Sequence, residues 1–253
     1  MLTPEETIAK NEAGASLKAG SDFKTLLLKG IFAGSAIAFG AAASSTVAFA
    51  IDNVGLSRLV QGIVFPVGLM LIVMLGGELF TGDTLMAMGV FGKKITIGQY
   101  IRTLVIVYFS NFIGSLLIAF LMKFSGNFNL GGGNLGTFVA GIAEKKSQIG
   151  PVAGICSGIL CNILVCLAVL MAQSAVNVIG KIFAVWFPIM AFVVCGFEHV
   201  VANMYYIPAG LLAGANATIP GCLLNYLWVT IGNVIGGLFV AFLLWNAHRR
   251  KTV

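Results

Sequence analysis

The sequence predicts an all-α polytopic membrane protein. Six transmembrane helices form two inverted three-helix repeats, and one helix of each repeat is broken at mid-membrane. Three observations predict this. The 253 residues are 58% hydrophobic and 9% charged, with a mean hydropathy of +0.99, where soluble domains carry roughly 25% charged residues. Six apolar stretches each reach the ~20 residues that a bilayer requires. The pattern N-x-I-G-x-L-x-x-A-F-L occurs twice, at residues 111–121 and 233–243. Three spans in each half, an odd number, force the halves into opposite orientations.

Residues 1–25 read as a polar, partly amphipathic N-terminal helix. Thr3-Pro4-Glu5-Glu6 is a start signal, a cap followed by proline at the first helical position. Ala9, Ala13 and Leu17 recur at near-helical spacing, which suits a helix lying on a partner or on the membrane surface. This polar start predicts no cleavable signal peptide, so the first hydrophobic segment is a true span. The whole chain, 1–253, reads as one membrane domain. The first repeat, 26–122, holds spans at about 26–51, 59–88 and 101–122. A glycine-rich loop at 127–134 and the polar Glu144-Lys145-Lys146 follow. The second repeat, 152–246, holds spans at about 152–172, 182–212 and 222–246, and 247–253 is a basic cytoplasmic tail.

The second and fifth spans are the longer ones, and each is interrupted. The first interruption is Gly76-Gly77-Glu78-Leu79-Phe80-Thr81-Gly82-Asp83, the second Gly196-Phe197-Glu198-His199-Val200-Val201-Ala202-Asn203. Both carry Gly-x-Glu. Gly34 precedes Gly76 by 42 residues, and Gly154 precedes Gly196 by 42. Ionisable groups at membrane depth are costly and mark functional sites. Irregular backbone there is tolerated only inside protein or along a cavity. Inverted repeats with one break each place a permeation site at the midplane, between the breaks.

Charge sets orientation and excludes some partners. The N-terminus, the second and fourth connections and the C-terminus hold eleven Lys and Arg residues, and the opposite side holds four. The positive-inside rule makes both termini cytoplasmic. The net charge of +6 does not indicate nucleic acid, because the basic residues sit at span ends. Cys156, Cys161, Cys166, Cys195 and Cys222 lie in or near apolar runs without zinc-ligand spacing and read as small buried hydrophobes. No cofactor is called for: the Gly131-Gly132-Gly133 loop leads to no G-x-G-x-x-G helix, and one intramembrane histidine cannot give two-histidine haem ligation.

Residues 77–82 (Gly-Glu-Leu-Phe-Thr-Gly), 162–168 (Asn-Ile-Leu-Val-Cys-Leu-Ala), 186–192 (Trp-Phe-Pro-Ile-Met-Ala-Phe), 196–204 (Gly-Phe-Glu-His-Val-Val-Ala-Asn-Met) and 207–210 (Ile-Pro-Ala-Gly) resemble the formate/nitrite transporter family. Order and spacing agree from about residue 18 to residue 245. The resemblance implies an aquaporin-like six-helix protomer, assembled as a homopentamer in the lipid bilayer. Each protomer would carry its own pore for small monovalent anions.

The same resemblance assigns residues. His199 is implied to line the central pore, where a neutral imidazole can donate from one nitrogen and accept at the other. Thr81 is implied to face it; its hydroxyl would orient the ring, contact substrate, or satisfy backbone freed by the break. Asn162 matches a pore-side amide. Phe65, Leu69, Leu79, Phe80, Val165 and Phe192 match apolar constrictions on either side of the histidine. Lys18 and Lys146 match vestibule lysines, one near each mouth, with Lys24 as the alternative to Lys18. A carboxylate beside an anion path would repel the substrate. Glu78 and Glu198 therefore read as structural, each bonded to backbone amides of its break, with Asn203 as a further tie.

The resemblance implies a channel for formate, nitrite or hydrosulfide, with formate preferred, in a prokaryotic inner (plasma) membrane. Passage as the protonated acid is one expectation, an anion channel gated by the Thr81 stretch the other. A water or glycerol channel is the nearest architectural alternative, but the chain has no paired Asn-Pro-Ala breaks. Ser157 with His199 lacks protease spacing, and the chain reads as no enzyme.

Overall fold

The computed structural model describes residues 1–249. Most of the expected basic tail, from residue 250 on, lies outside the described residues. Helix α1 (Pro4–Ala19) is capped as its sequence predicts: the Glu6 N–H donates to the Thr3 hydroxyl, and the Thr3 N–H donates to the Glu6 carboxylate. The first span is α2 (Phe23–Ala48). The broken second span is α3 (Val54–Val64) and α4 (Val67–Leu75), then α5 (Phe80–Asp83), a 3-10 turn (Thr84–Met86) and α6 (Ala87–Phe91). The third span is α7 (Ile97–Phe124), and α8 (Asn134–Ser147) is a helix in the connection, where the sequence suggested only a loop. The second repeat is α9 (Pro151–Ser174), the broken pair α10 (Val178–Cys195) and α11 (Val200–Leu212), and α12 (Ile219–His248). Among the described residues there is no strand, and six helical segments are long and apolar enough to cross a membrane.

Glycine makes the breaks. Gly76 (φ 80°) and Gly196 (φ 72°) end α4 and α10 in the left-handed conformation, which side chains on a Cβ disfavour. The backbone then runs extended to Leu79 (φ −113°, ψ 121°) and His199 (φ −113°, ψ 115°), from which α5 and α11 start. The two breaks share one conformation, as inverted repeats require. Nothing lies within 4 Å of where a Cβ on Gly76 would sit, so Gly76→Ala isolates the backbone term. It should destabilise the protein by about 1–2 kcal/mol, read from thermal unfolding in detergent micelles. An unchanged melting temperature would mean that the left-handed residue can be given up.

Close helix contacts hold each half together. A Cβ on Gly34 would lie 2.0 Å from the Asn111 carbonyl, on Gly114 2.0 Å from that of Ile31, and on Gly236 2.5 Å from that of Ile159. Helices in lipid associate through such small-residue contacts. The contacts also correct the repeat register. Gly114 and Gly236 are motif partners, so Ile31 corresponds to Ile159. Gly34 then corresponds to Asn162, eight residues beyond Gly154. The shared spacing of 42 is a coincidence, because the first half has eight more residues between its first span and its break.

Candidate functional site

Each break exposes backbone groups that lipid cannot satisfy, and one asparagine closes each. Asn111 Oδ1 accepts from the Phe80 N–H (2.9 Å), while its Nδ2 donates to the carbonyls of Gly30 (2.8 Å) and Glu78 (2.9 Å). Asn233 Oδ1 accepts from the Val200 N–H (2.9 Å), and its Nδ2 donates to the carbonyls of Gly158 (2.8 Å) and Glu198 (3.0 Å). Both asparagines are fully buried. They head the repeated N-x-I-G pattern, so the pattern marks a clamp on the break.

This clamp corrects the expected role of the glutamates. Their carboxylates do not bond the amides of the breaks, because other acceptors already hold those amides: the two asparagines, and Ser157 Oγ for the Glu198 N–H (3.0 Å). The carboxylates reach lysines instead. Lys146 Nζ donates to both Glu198 oxygens at 2.9 Å. Asn203 Nδ2 donates to Glu198 (2.6 Å) and to Asn225 Oδ1 (2.8 Å), and Asn225 Nδ2 returns to the Lys146 carbonyl (3.0 Å). In the other half Lys18 bridges Glu78 (2.5 Å) and Asp83, and Lys29 lies 3.6 Å from Glu78. Burial opposes the charge on Lys18, but Asp83 and Glu78 more than offset it and hold the ammonium above its ordinary range. Lys18 lines the cavity on this side.

His199 caps α11 and meets the opposite break. The Ala202 N–H donates to its Nδ1 (3.0 Å), and its Nε2 lies 2.9 Å from Thr81 Oγ1. A backbone N–H can only donate, so Nδ1 is the acceptor and the ring proton sits on Nε2, facing Thr81. Phe192 stacks on the ring at 5.8 Å between centroids. Phe65, Leu69, Leu79, Val165 and Phe192 enclose His199 around a space of about 10 Å³, too small for more than one water. Beyond Leu69 and Leu79 a cavity of about 330 Å³ opens, lined by Lys18, Glu78 and Asp83. Beyond Phe65 and Phe192 a cavity of about 140 Å³ opens, lined by Lys146 and Asn203.

A family model described as "Formate/nitrite transporter" matches residues 5–246. A "Probable formate transporter" of Methanothermobacter thermautotrophicus is 35% identical over 98% of this chain and 98% of its own. A solved "FNT family ion channel" superposes with a TM-score of 0.90 at 30% identity, covering 96% of this chain and 98% of its own. A "Pentameric formate channel with formate bound" gives 0.78 at 31%, covering 89% and 97%.

The chain belongs to the formate/nitrite transporter family.

A member of this transporter family is a multi-pass membrane protein and not an enzyme. Two of the residues that the resemblance picks out make contacts it did not imply in this formate/nitrite transporter. Phe80 turns away from the constrictions and packs edge-on against Tyr108, with ring centroids 4.9 Å apart, because the Asn111 clamp holds its backbone toward α7. Asn162 directs Nδ2 to the carbonyls of Thr81 (3.2 Å) and Asn233 (2.6 Å) and to the Thr84 hydroxyl (3.2 Å). Its amide nitrogen is thus a strut between the breaks. Sequence reasoning missed Asn111, Asn233, Asn225 and Ser157. The repeated asparagines were the available signal; Ser157 and Asn225 had none, since their partners come from other helices.

Proposed function

We propose that the chain is a channel for small monovalent weak-acid anions, with formate its substrate, and that the solute crosses the centre as the neutral acid. The observation that carries this is a His199–Thr81 pair enclosed between two apolar constrictions, with a lysine-lined cavity beyond each. A bare anion would meet those rings unpaired, at tens of kcal/mol in the Born limit, roughly. Protonating a carboxylate of pKa about 3.7 at pH 7 costs only about 4–5 kcal/mol. The ring of His199 holds a single proton, on Nε2, and giving it up would leave an imidazolate. The proton therefore comes from cavity water, and His199 with Thr81 serves the passing acid as hydrogen-bond donor and acceptor. The pentameric formate-bound channel supports both the substrate and a homopentamer, which we assign to this chain too. The charge asymmetry supports cytoplasmic termini, and we assign the chain to a prokaryotic inner membrane.

Uptake into proteoliposomes tests this, with formate, nitrite and hydrosulfide presented separately under an inside-alkaline gradient and a pH-clamped control. Formate flux that tracks the gradient is expected. Preference for nitrite or hydrosulfide would replace the substrate, and equal pH-insensitive flux of all three would replace acid passage by an anion channel. His199→Asn should keep one proton per formate while slowing turnover by up to about tenfold, the value of one neutral hydrogen bond. Formate current without protons in that variant would return the proton role to the histidine.

A further inference from the structure

We propose that Arg58, rather than Lys146, supplies the uncompensated positive charge that draws anions to the mouth on the Lys146 side. This rests on the anion-channel reading above. Lys146 donates to both carboxylate oxygens of Glu198 and lies 5.5 Å from the Tyr206 ring centre. The pair is neutral as a unit and gives a distant anion little field. Arg58 is exposed and makes no ion pair among the described residues. Its Nη1 donates to the Val194 carbonyl at 3.2 Å, and a Cβ on Gly196 would lie 2.4 Å from the same nitrogen. Gln61, one turn further along α3, lines the cavity together with Gly196, Lys146 and His199. The guanidinium therefore stands at the rim of that cavity, on the carbonyl end of α10.

That carbonyl end decides the sign of the field. A helix C-terminus presents free carbonyls worth about half a negative charge. Left bare at the break, the end of α10 would repel an anion entering the cavity. Arg58 covers it and leaves about half a positive charge in excess. The opposite mouth also has a cation from the partner half-helix. Lys181, at the start of α10, lines the cavity that contains Gly76, the end of α4. Each first half-helix thus brings a cation to the cavity at the end of the other.

Formate uptake into proteoliposomes by wild type, R58Q and R58K tests the proposal. R58Q should raise the half-saturating concentration by between about twofold and fifteenfold, the range for removing a unit charge about 10 Å away through effective dielectrics from 80 to 20. Its maximal rate should stay within about twofold of wild type, R58K should resemble wild type, and the gap should close near 1 M salt, where screening acts within about 3 Å. An unchanged half-saturating concentration in R58Q overturns the proposal while wild-type flux leaves the channel reading standing. A fall in maximal rate alone, in both variants, makes Arg58 a structural cap and also overturns it. Should R58Q fail to assemble, wild-type half-saturation that ignores salt overturns it. Absence of wild-type flux for formate, nitrite and hydrosulfide overturns both readings.

Discussion

Replacing Asn233 with alanine is expected to destabilise the protein by about 3–5 kcal/mol, a large part of the roughly 5–15 kcal/mol that holds a folded protein together. The change strips the partners from the Val200 N–H and the Glu198 carbonyl at the second break, and takes the second donor from the Gly158 carbonyl, which keeps its helical partner within α9. A buried polar group left without a partner costs about 1–3 kcal/mol. The two stripped groups give about 2–6 kcal/mol, and slight relaxation of the break trims the upper end. Asn233→Asp keeps the acceptor for Val200 but turns a carboxylate oxygen toward two carbonyls, so it should be no milder than alanine. Asn111→Ala should match it, since Asn111 makes the same three bonds to Phe80, Gly30 and Glu78. Chemical or thermal unfolding in detergent reads the cost. A loss below about 0.5 kcal/mol, the usual size of a surface substitution, would show that something else holds the break.

These clamps show what a sequence reveals and what it conceals here. The six spans and both breaks were legible, because lipid enforces length and apolarity, and Gly76 and Gly196 stand where a left-handed residue is needed. His199 and Thr81 were legible as partners through the family resemblance of the two breaks, and the structure brings them to 2.9 Å. The lysine–glutamate pairings were not. A carboxylate beside freed amides looks like their natural acceptor, and only the structure shows that Asn111, Asn233 and Ser157 hold those amides first. The register of the first and fourth spans was hidden for another reason. Small residues are so frequent in both helices that glycine spacing alone cannot say which pair corresponds; the contacts of Gly114 and Gly236 can. Helix α8 escaped because glycines precede it, although Lys146 reaches Glu198 from its last turn.

Lys146→Met is expected to cost about 3–5 kcal/mol, because it leaves a largely buried carboxylate uncompensated. The side chains of Lys146 and Glu198 are only 14% and 12% exposed, so water replaces the ammonium poorly, and Asn203 Nδ2, a neutral donor, remains on Glu198. Glu198→Gln alone should also be severe, since it strands the ammonium. The double variant should cost clearly less than the sum, with a coupling of about 2–3 kcal/mol, because a neutral amide next to Asn203 needs no counter-ion. Lys18→Met should be no milder than Lys146→Met. Lys29 stands 3.6 Å from Glu78 and can take over there, but Asp83, whose side chain is 1% exposed, loses its ion-pair partner. Unfolding of the four variants settles the order. Additive singles, or a Lys146→Met loss under about 1 kcal/mol as for a solvated ion pair, would mean that water reaches Glu198 freely. Lys146 would then carry an open charge at its mouth, and Arg58 would share the capture of anions with it.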